Sequence, residues 1–377
     1  MRYNAIGSSN NIFASVIGQG SMGIGGYLKK DSTSDKKYID ALQLGINSGM
    51  TFIDTAENYG GGYSEIIIGE AVKRIRDKVL IATKVSPEHL SYENVIHACD
   101  GSLKRLGTDY IDIYQIHWPN PAIPVGETLR AMETLKKQGK IRFIGVSNFS
   151  LKQLKEAIAT LESGEIVSAQ VEYNLFDRTI ENDILPFCEE NSIAVIAYSP
   201  LDQGDIIQGE SKSEIIRAIA LKYNKTPAQI VLNWLISHKN VITIPKALKP
   251  EHIRQNAESA NFELDSQDIE KINYTFQTAP IEVAPDKVKV VLDGQGSRKV
   301  YQTIEDAIKN DLGFTPSPED LAKDMRRRNE AIKPVRVRKS KDITGRYEYD
   351  LVEGRIRYWA WVIAHGWNKA IPVLIRG

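Results

Sequence analysis

Residues 110–117 read YIDIYQIH, a run of mainly apolar residues that ends in a histidine. A short run rich in isoleucine and tyrosine predicts a buried β-strand, because β-branched and aromatic side chains favour extended backbone. Similar runs recur along roughly the first 250 residues, and a polar residue closes or follows each of the seven that we place. These residues are Asp54, Lys84, His117, Asn148, Gln170, Tyr198 and Lys246.

Amphipathic segments separate these strands and predict helices. We expect helices over residues 34–48, 64–76, 94–106, 128–138, 151–163, 181–191, 213–223 and 226–238. The last of these begins at Thr226-Pro227, where threonine can cap a helix and proline suits its first turn. We expect eight such strands, seven of which are placed above, alternating with the helices. This pattern predicts an α/β protein with a (β/α)₈ TIM barrel, whose active site lies at the carboxyl ends of the strands.

The overall composition is that of a globular protein without a membrane partner. No run of about 18 apolar residues is present, and the first residues do not resemble a signal segment. Cys99 and Cys188 are too few for a disulfide framework, so we expect a reducing, cytoplasmic compartment. The six histidines lack metal-ligand spacing, so no metal site is expected.

Charge and pattern both change near residue 280. The chain has 48 basic and 48 acidic residues, but residues 286–377 contain 19 Lys and Arg against 13 Asp and Glu. Here we predict a hairpin over 288–301, helices over 304–310, from 317, and over 355–365, and strands over 335–338 and 347–352. We therefore expect a barrel domain at residues 1–278 and a small α+β domain at 279–377.

Four residues at the predicted barrel mouth have the chemistry of a proton donor. Tyr59 is a weak acid with an ordinary pKa of about 10. A nearby Lys84 ammonium would favour the phenolate and make the proton easier to lose, and Asp54 would hold that lysine in place. His117 could hydrogen-bond the substrate oxygen. The set suits carbonyl reduction, in which oxygen gains a proton while a cofactor delivers hydride to carbon.

Residues 1 to about 275 resemble the aldo-keto reductases. The resemblance rests on FIDTAENYG at 52–60 followed by Ser64-Glu65, YQIHWP at 114–119, GVSNF at 145–149, QVEYN at 170–174, YSPL at 198–201 and IPK at 244–246. It implies NAD(P)H-dependent reduction of an aldehyde or ketone to an alcohol. In that family's scheme Tyr59 is the general acid, Lys84 and Asp54 tune it, and His117 orients the carbonyl.

The resemblance also implies a cofactor site. Ser147, Asn148 and Gln170 would hold the nicotinamide carboxamide, and Tyr198 would stack on the nicotinamide ring. The diphosphate and adenosine side would be contacted by Ser199, Pro200, Leu201, Ile244, Lys246, His252 and Asn256. Tyr27 and Trp118 are candidates for the substrate pocket, with loop packing as the alternative.

The cofactor preference depends on Lys246. It resembles the lysine that pairs with the 2′-phosphate in NADPH-using members, many of which place an arginine six residues later. Here that position is His252, which cannot bind phosphate through a bidentate fork as arginine does. We expect NADPH, with NADH use left open.

Residues of about 281–377 resemble the ParB/sulfiredoxin-like fold through DLVEGRIRYWAW at 350–361, PVRV at 334–337 and SPEDL at 317–321. The resemblance implies a phosphate site at Glu353, Gly354, Arg355 and Arg357, and a nucleotide or nucleic acid as partner. Arg355 replaces the cysteine of sulfiredoxins, so we expect no sulfiredoxin activity. No helix-turn-helix follows, although the basic run at 326–328 could contact phosphates.

Three functions are compatible with these features. The first is a reductase for a small carbonyl substrate, with an appended nucleotide-binding module. The second is a redox sensor whose barrel binds the cofactor without turnover. The third is a scaffold whose C-terminal module acts on nucleotide or DNA.

Overall fold

Two compact units make up the chain. The first comprises Met1–Pro119 and Ile123–Phe276, and the second comprises Asn120–Ala122 and Gln277–Gly377. A computed structural model describes residues 1–7, 12–204, 206, 213–277, 279–291, 300–328, 332–340, 342 and 344–375.

An antiparallel hairpin opens the first unit, formed by β1 (Tyr3–Ala5) and β2 (Phe13–Ser15). The Ser15 hydroxyl accepts a hydrogen bond from the backbone N–H of Phe52 at 3.1 Å, where the second barrel strand begins. Ile6, beside the hairpin, belongs to the same buried cluster as the strand residues Phe52 and Ile113. The hairpin therefore packs at the amino-terminal end of the barrel, opposite the expected active site.

Among the described residues, eight parallel strands form the barrel, and they are hydrogen-bonded in chain order. They are β3 (Gln19–Gly20), β4 (Phe52–Asp54), β5 (Leu80–Val85), β6 (Ile111–Ile116), β7 (Ile141–Ser147), β8 (Ile166–Glu172), β9 (Ala194–Tyr198) and β10 (Val241–Thr243). A parallel bridge between Ile17 and Thr243 closes the sheet, with Gly18 N donating to Thr243 O at 2.8 Å. Every residue of β6 and β8 is buried, which explains the continuous apolar runs in the sequence.

Helices surround the barrel strands. They are α1 (Asp35–Asn47), α2 (Tyr63–Val72), α3 (Tyr92–Leu106), α4 (Val125–Lys137), α5 (Leu151–Thr160), α6 (Ile184–Glu190), α7 (Ser213–Tyr223), α8 (Pro227–Leu235), α9 (Pro250–Glu258) and α10 (Ser266–Thr275). Thr226 caps α8 by accepting a hydrogen bond from the backbone N–H of Gln229, whose side chain bonds back to Thr226 N. The predicted barrel and this helix start are confirmed.

The second unit is a mixed five-stranded sheet with three helices among its described residues. Its elements are β11 (Ile281–Val283), β12 (Val288–Val290), α11 (Ile304–Lys309), α12 (Pro318–Arg328), β13 (Val335–Lys339), β14 (Tyr349–Glu353), α13 (Arg355–His365) and β15 (Ile371–Ile375). The strand order is β11-β15-β13-β14-β12. Tyr358, Trp359 and Trp361 of α13 are buried in the core of this unit.

The hairpin predicted over residues 288–301 is wrong in its pairing. Strand β12 runs parallel to β14, with Val288 paired to Tyr349, and Val300 and Tyr301 are not in a strand. Residues 292–299, where the turn was predicted, lie outside the described residues. Apolar residues around Asp-Gly satisfy the local pattern of a hairpin, but β12 pairs with the distant strand β14, where Val288 is buried.

Two further differences concern short elements. Helix α2 ends at Val72, and a separate turn over Arg76–Lys78 replaces the end of the predicted helix. The first barrel strand, β3, was not placed from the sequence. It has two residues, which is too short for any periodicity to mark it.

Candidate active site

Asp54 and Lys84 meet at the carboxyl ends of neighbouring strands. Asp54 of β4 pairs in register with Ala82 of β5. Lys84 lies two residues further along β5, on the same face of the strand as Ala82. The Lys84 ammonium donates to Asp54 Oδ2 and to the Thr55 carbonyl, both at 2.7 Å. Both charged side chains are almost fully buried, so each depends on the other to offset its desolvation.

Tyr59 is brought to this pair by a run of glycines. It begins a turn over Tyr59–Gly62, in which Gly60 and Gly61 have φ values of 60° and 64°. A Cβ on Gly60 would lie 2.6 Å from the carbonyl oxygen of Gly25, so a larger residue does not fit there. Lys84 Nζ lies 3.5 Å from the Tyr59 hydroxyl. The phenol, the ammonium and the carboxylate therefore form one contiguous group.

Lys84 acts on Tyr59 in the expected direction, but the net shift of the Tyr59 pKa is the opposite of the one expected. Burial raises the pKa of the Tyr59 hydroxyl above its ordinary value, Lys84 opposes that shift, and Asp54 adds to it. Burial alone would lower the pKa of Lys84, but Asp54 and Tyr59 outweigh it and the net shift is upward. The charge of Lys84 is evident from the sequence, whereas the burial of Tyr59 is not. In the structure Tyr59 keeps its proton more firmly than a tyrosine in water, and Lys84 limits the increase.

His117 follows β6 and faces Tyr59. Their ring centroids are 5.7 Å apart with an edge-to-face angle of 76°. Burial, with a contribution from Lys84, lowers the pKa of His117 to about 3. Its buried Nδ1 has no hydrogen-bond partner in the described part of the chain. The imidazole is therefore neutral at ordinary pH, and all four residues predicted for proton transfer lie together.

Two glutamines extend this network. Gln170 of β8 donates through Nε2 to Asp54 Oδ1 at 2.7 Å, and Gln115 of β6 contacts the same oxygen at 3.5 Å. Asp54 is thus surrounded by amide donors as well as by Lys84. Gln170 is predicted to hold a cofactor carboxamide, and in the structure its Nε2 is bonded to Asp54. Gln115 was not predicted, because the direction of its side chain depends on strand register.

Ser147, Asn148 and Tyr198 form a polar group beside His117. Asn148 has a φ of 61° and donates through Nδ2 to Ser147 Oγ at 2.9 Å and to the His117 carbonyl at 3.0 Å. Tyr198 donates through its hydroxyl to Asn148 Oδ1 at 2.9 Å. An amide and a hydroxyl group thus lie beside a partly exposed aromatic residue, an arrangement that is complementary to a ring bearing a carboxamide.

The remaining predicted cofactor residues lie on the adjoining strand ends and on α9. Ser199 has a φ of 50°, and its carbonyl accepts from Asn174 Nδ2 at 3.1 Å. On α9, Asn256 is buried and His252 is exposed. Two residues follow β9 and two follow β10: Pro200, Leu201, Ile244 and Lys246.

Tyr27 lies in the loop after β3 and contacts two parts of the site. Its carbonyl accepts from the backbone N–H of Gly60 at 2.8 Å. Lys246 Nζ lies 5.5 Å from the centroid of its ring. Tyr27 is 56% exposed and Trp118 is 39% exposed. Both are therefore accessible at the mouth, as a substrate-lining residue must be.

In the second unit, the predicted phosphate residues contact protein groups. Arg336 Nη1 donates to Glu353 Oε2 at 3.1 Å, Arg355 Nε donates to the Val291 carbonyl at 3.2 Å, and Arg357 Nη2 to the Pro334 carbonyl at 3.5 Å. Gly354, with φ 86°, directly precedes α13.

The basic run at 326–328 also has partners within the unit. Arg326 donates to the carbonyls of Ile363 and Ala364 at the end of α13, and Arg328 pairs with Asp324. Positive side chains near the last carbonyls of a helix are favourable. These contacts stabilise the unit and do not require a nucleic acid.

Two other features bear on the class of site. Among the described residues, no group of three His, Cys, Asp or Glu is arranged to hold a metal ion. In the same part of the chain, no helix has the length and apolar character to span a bilayer.

Comparison with known proteins gives the same picture of the first unit. The profile of the Aldo/keto reductase family matches residues 16–275. Methylglyoxal reductase YeaE of Escherichia coli (strain K12) is 37% identical over 289 residues, covering 76% of this chain and 100% of that protein. Glyoxal reductase of Bacillus subtilis (strain 168) is 36% identical, covering 66% of this chain and 87% of that protein.

A solved structure extends the comparison to three dimensions. An aldo/keto reductase from Klebsiella pneumoniae, in complex with NADP and acetate, has a TM-score of 0.67 and 36% identity, covering 73% of this chain and 95% of that one. The region matched by the family profile contains every residue that meets at the barrel mouth.

Proposed function

The chain belongs to the aldo/keto reductase family, and we propose that its barrel reduces a small aldehyde or ketone to an alcohol with NADPH. Two relatives are named methylglyoxal reductase and glyoxal reductase. Short 2-oxoaldehydes are therefore the substrates to test first. The oxidoreductase class follows from family membership, whereas the substrate and the role of each residue are proposals.

Tyr59 is the proton donor in this proposal. Its raised pKa, caused mainly by burial, keeps the hydroxyl protonated at neutral pH. As the carbonyl oxygen gains negative charge, the Tyr59 hydroxyl protonates it. Lys84, 3.5 Å away, stabilises the phenolate left behind, and Asp54 keeps Lys84 charged and in position. Neutral His117 hydrogen-bonds the same carbonyl oxygen and orients it.

The residues at the mouth also fit a nicotinamide cofactor. When bound, NADPH supplies the hydride that carbon receives. Ser147 and Asn148 offer hydroxyl and amide groups to its carboxamide, and the accessible Tyr198 ring offers a stacking surface. Gln170 contributes its amide oxygen, since its nitrogen bonds Asp54.

Lys246 is proposed to pair with the 2′-phosphate of NADPH. The relative with NADP bound supports this preference. Exposed His252 supplies no bidentate contact, so NADH remains a second cofactor to measure. Ser199, Pro200, Leu201, Ile244 and Asn256 complete the proposed adenosine and diphosphate side.

The observation that carries the proposal is the 3.5 Å contact between Tyr59 and Lys84 beside His117. The test is NADPH oxidation with methylglyoxal by the wild type and by Tyr59→Phe. We expect the variant to lose about 10²- to 10⁴-fold in kcat, the usual contribution of a positioned acid, while NADPH binding persists. Tyr63→Phe is the matched control, because that phenol bonds Asp35 instead. Full turnover in Tyr59→Phe would reject the mechanism.

For the second unit we propose a ParB/sulfiredoxin-like domain over residues 279–377 that binds a phosphate-bearing nucleotide. The supporting observation is Gly354 in a left-handed conformation directly before α13, whose first turn contains Arg355 and Arg357. Backbone N–H groups at such a helix start favour an anion.

The test is the melting temperature of the full chain with and without ATP, CTP and ADP. We expect a nucleotide to stabilise the wild type, and Arg355→Gln to lose that response. Arg346→Gln, an exposed arginine outside α13, is the control. The absence of any shift in the wild type would count against nucleotide binding.

A further inference from the structure

The loop between β3 and α1 reaches Lys246, which follows β10. Lys246 Nζ lies 5.5 Å from the centroid of the Tyr27 ring, within the range of a cation–π contact. A Cβ built on Gly23 would lie 3.0 Å from both Lys246 Nζ and Tyr27 Cζ. The ammonium, the ring and the glycine therefore meet at one point, and a side chain at residue 23 would separate them.

The loop cannot easily move away from this position. The Tyr27 carbonyl accepts from Gly60 N at 2.8 Å, and Gly25 O accepts from Asp31 N at 2.7 Å. Gly23 and Gly26 form a bridge, which folds the segment back on itself. Gly25 and Gly26 have φ values of 72° and 104°, which other residues rarely adopt. The backbone thus presents the Tyr27 ring to Lys246 and, beside it, holds the turn of Tyr59.

We infer that Tyr27 is a cofactor-selectivity residue, which holds the Lys246 ammonium before a dinucleotide binds. This rests on the proposed pairing of Lys246 with the 2′-phosphate of NADPH. To reach that phosphate, Lys246 must give up its contact with the Tyr27 ring. NADH has no 2′-phosphate, so its binding does not require Lys246 to leave the Tyr27 ring. Tyr27 therefore weakens NADPH binding while leaving NADH binding unchanged, and shifts the balance between the two cofactors.

The size of the effect follows from the strength of a cation–π contact. At exposed sites such contacts change an equilibrium by about two- to fivefold. Removing the ring should therefore lower the Kd for NADPH by about two- to fivefold. Tyr27→Phe retains an aromatic face and should stay close to the wild type. Because Tyr27 is 56% exposed, leucine can replace it without opening a buried cavity.

The test is direct measurement of Kd for NADPH and for NADH by quenching of protein fluorescence, without any carbonyl substrate. The proteins are the wild type, Tyr27→Leu, Tyr27→Phe, Lys246→Met and the double variant Tyr27→Leu/Lys246→Met. We expect Tyr27→Leu to lower the Kd for NADPH and to leave the Kd for NADH unchanged. In the double variant the effect of Tyr27→Leu should vanish, since no ammonium remains for the ring to hold. Tyr3→Leu, a half-exposed tyrosine on β1, is the control for loss of a surface ring.

The outcomes separate this inference from the proposed function. If Lys246→Met binds NADPH as tightly as the wild type, the proposed role of Lys246 fails and the inference fails with it. A second case is that Lys246→Met loses NADPH affinity as proposed. The inference alone is then overturned if Tyr27→Leu leaves both Kd values unchanged, shifts both equally or raises the Kd for NADPH. If Tyr27→Phe lowers the Kd for NADPH as much as Tyr27→Leu does, the effect belongs to the hydroxyl, and the cation–π explanation is overturned as well.

Discussion

Lys84 places its ammonium 2.7 Å from the carboxylate of Asp54, on the neighbouring barrel strand, where neither side chain has appreciable contact with solvent. A buried ion pair of this kind does not by itself make a protein more stable than apolar residues would. Its consequence here is local: it maintains a positive charge next to the Tyr59 hydroxyl. The proposed chemistry and the stability of the barrel mouth therefore depend on the same contact.

Removing the cation tests both consequences. Lys84→Met leaves the Asp54 carboxylate buried, with the side-chain amides of Gln115 and Gln170 as its donors among the described residues. We expect the free energy of unfolding to fall by about 3–5 kcal/mol and carbonyl reduction to decline sharply. Adding Asp54→Asn removes the unpaired charge, so the double variant should recover stability but not turnover. Urea unfolding and steady-state kinetics measure the two effects. Equal stability of Lys84→Met and the wild type would contradict the geometry.

The pH dependence of turnover follows from two opposite shifts. The pKa of Tyr59 is raised by burial, so the acid form persists through neutral pH and is lost only as pH rises past that raised value. The pKa of His117 is lowered to about 3, so the neutral imidazole persists as pH falls below 6. We expect kcat per folded molecule to be flat from about pH 5 to 9, within these limits. A fall in kcat near pH 6.5 that His117→Asn abolishes would disprove the assignment.

His117 also affects stability, with a definite sign. Its folded pKa of about 3 lies below the ordinary histidine value of 6.5, so the unfolded chain binds more protons between those values. Stability therefore rises with pH across that window and falls on acidification through it. His117→Asn should flatten this part of the curve of unfolding free energy against pH. An unchanged slope in the variant would show that other groups dominate.

Glu57 connects the turn of Tyr59 to the strand of Lys84. Its carboxylate, 8% exposed, accepts from the backbone N–H of Ser86 at 2.6 Å and lies 2.9 Å from His89 Nδ1. We expect Glu57→Ala to lower kcat by about 10- to 100-fold, since small displacements of catalytic groups have effects of this size. The Kd for NADPH should stay within about twofold, because the hydrogen bonds of Glu57 in the described part of the chain go to Ser86, His89 and the Lys84 backbone.

A neighbouring carboxylate provides the control for Glu57. Glu88→Ala removes an exposed glutamate from the turn Pro87–His89 and should leave kcat unchanged. The alkaline limb of the pH profile is a further readout, because a displaced Tyr59 loses the influence of Lys84. Identical kcat values for Glu57→Ala and Glu88→Ala would refute a positioning role.

Unlike Glu57, Asp112 is expected to affect the stability of the barrel and not catalysis. It is fully buried on β6, and its carboxylate accepts from Arg76 Nη2 at 2.7 Å, Ile81 N at 2.9 Å and Arg142 Nη1 at 3.0 Å. Asp112→Asn should lower the free energy of unfolding by about 1.5–3 kcal/mol, the range for hydrogen bonds to charged groups. Turnover by the folded fraction should not change. Asp109→Asn, an exposed aspartate nearby in sequence, is the control in thermal melting.

Much of the barrel and of the proposed site could be predicted from the sequence. Apolar runs ended by polar residues placed seven strands, since a strand buried on both faces has a composition that shows locally. The same runs placed Asp54, Lys84 and His117 at one end of the sheet. The two-residue strand β3 and the parallel pairing of β12 were not predictable in this way, because only contacts with distant segments define them.

The amino-acid sequence alone determined which residues could transfer a proton and which end of the barrel would hold them, because alternation of strands and helices directs successive carboxyl ends to one face. Tertiary structure decided how these residues act. Burial raises the pKa of Tyr59 although a lysine lies beside it, and the folded loop places Tyr27 against Lys246. Desolvation and contacts between distant segments depend on which atoms surround a group in space, and no local pattern of residues specifies those atoms.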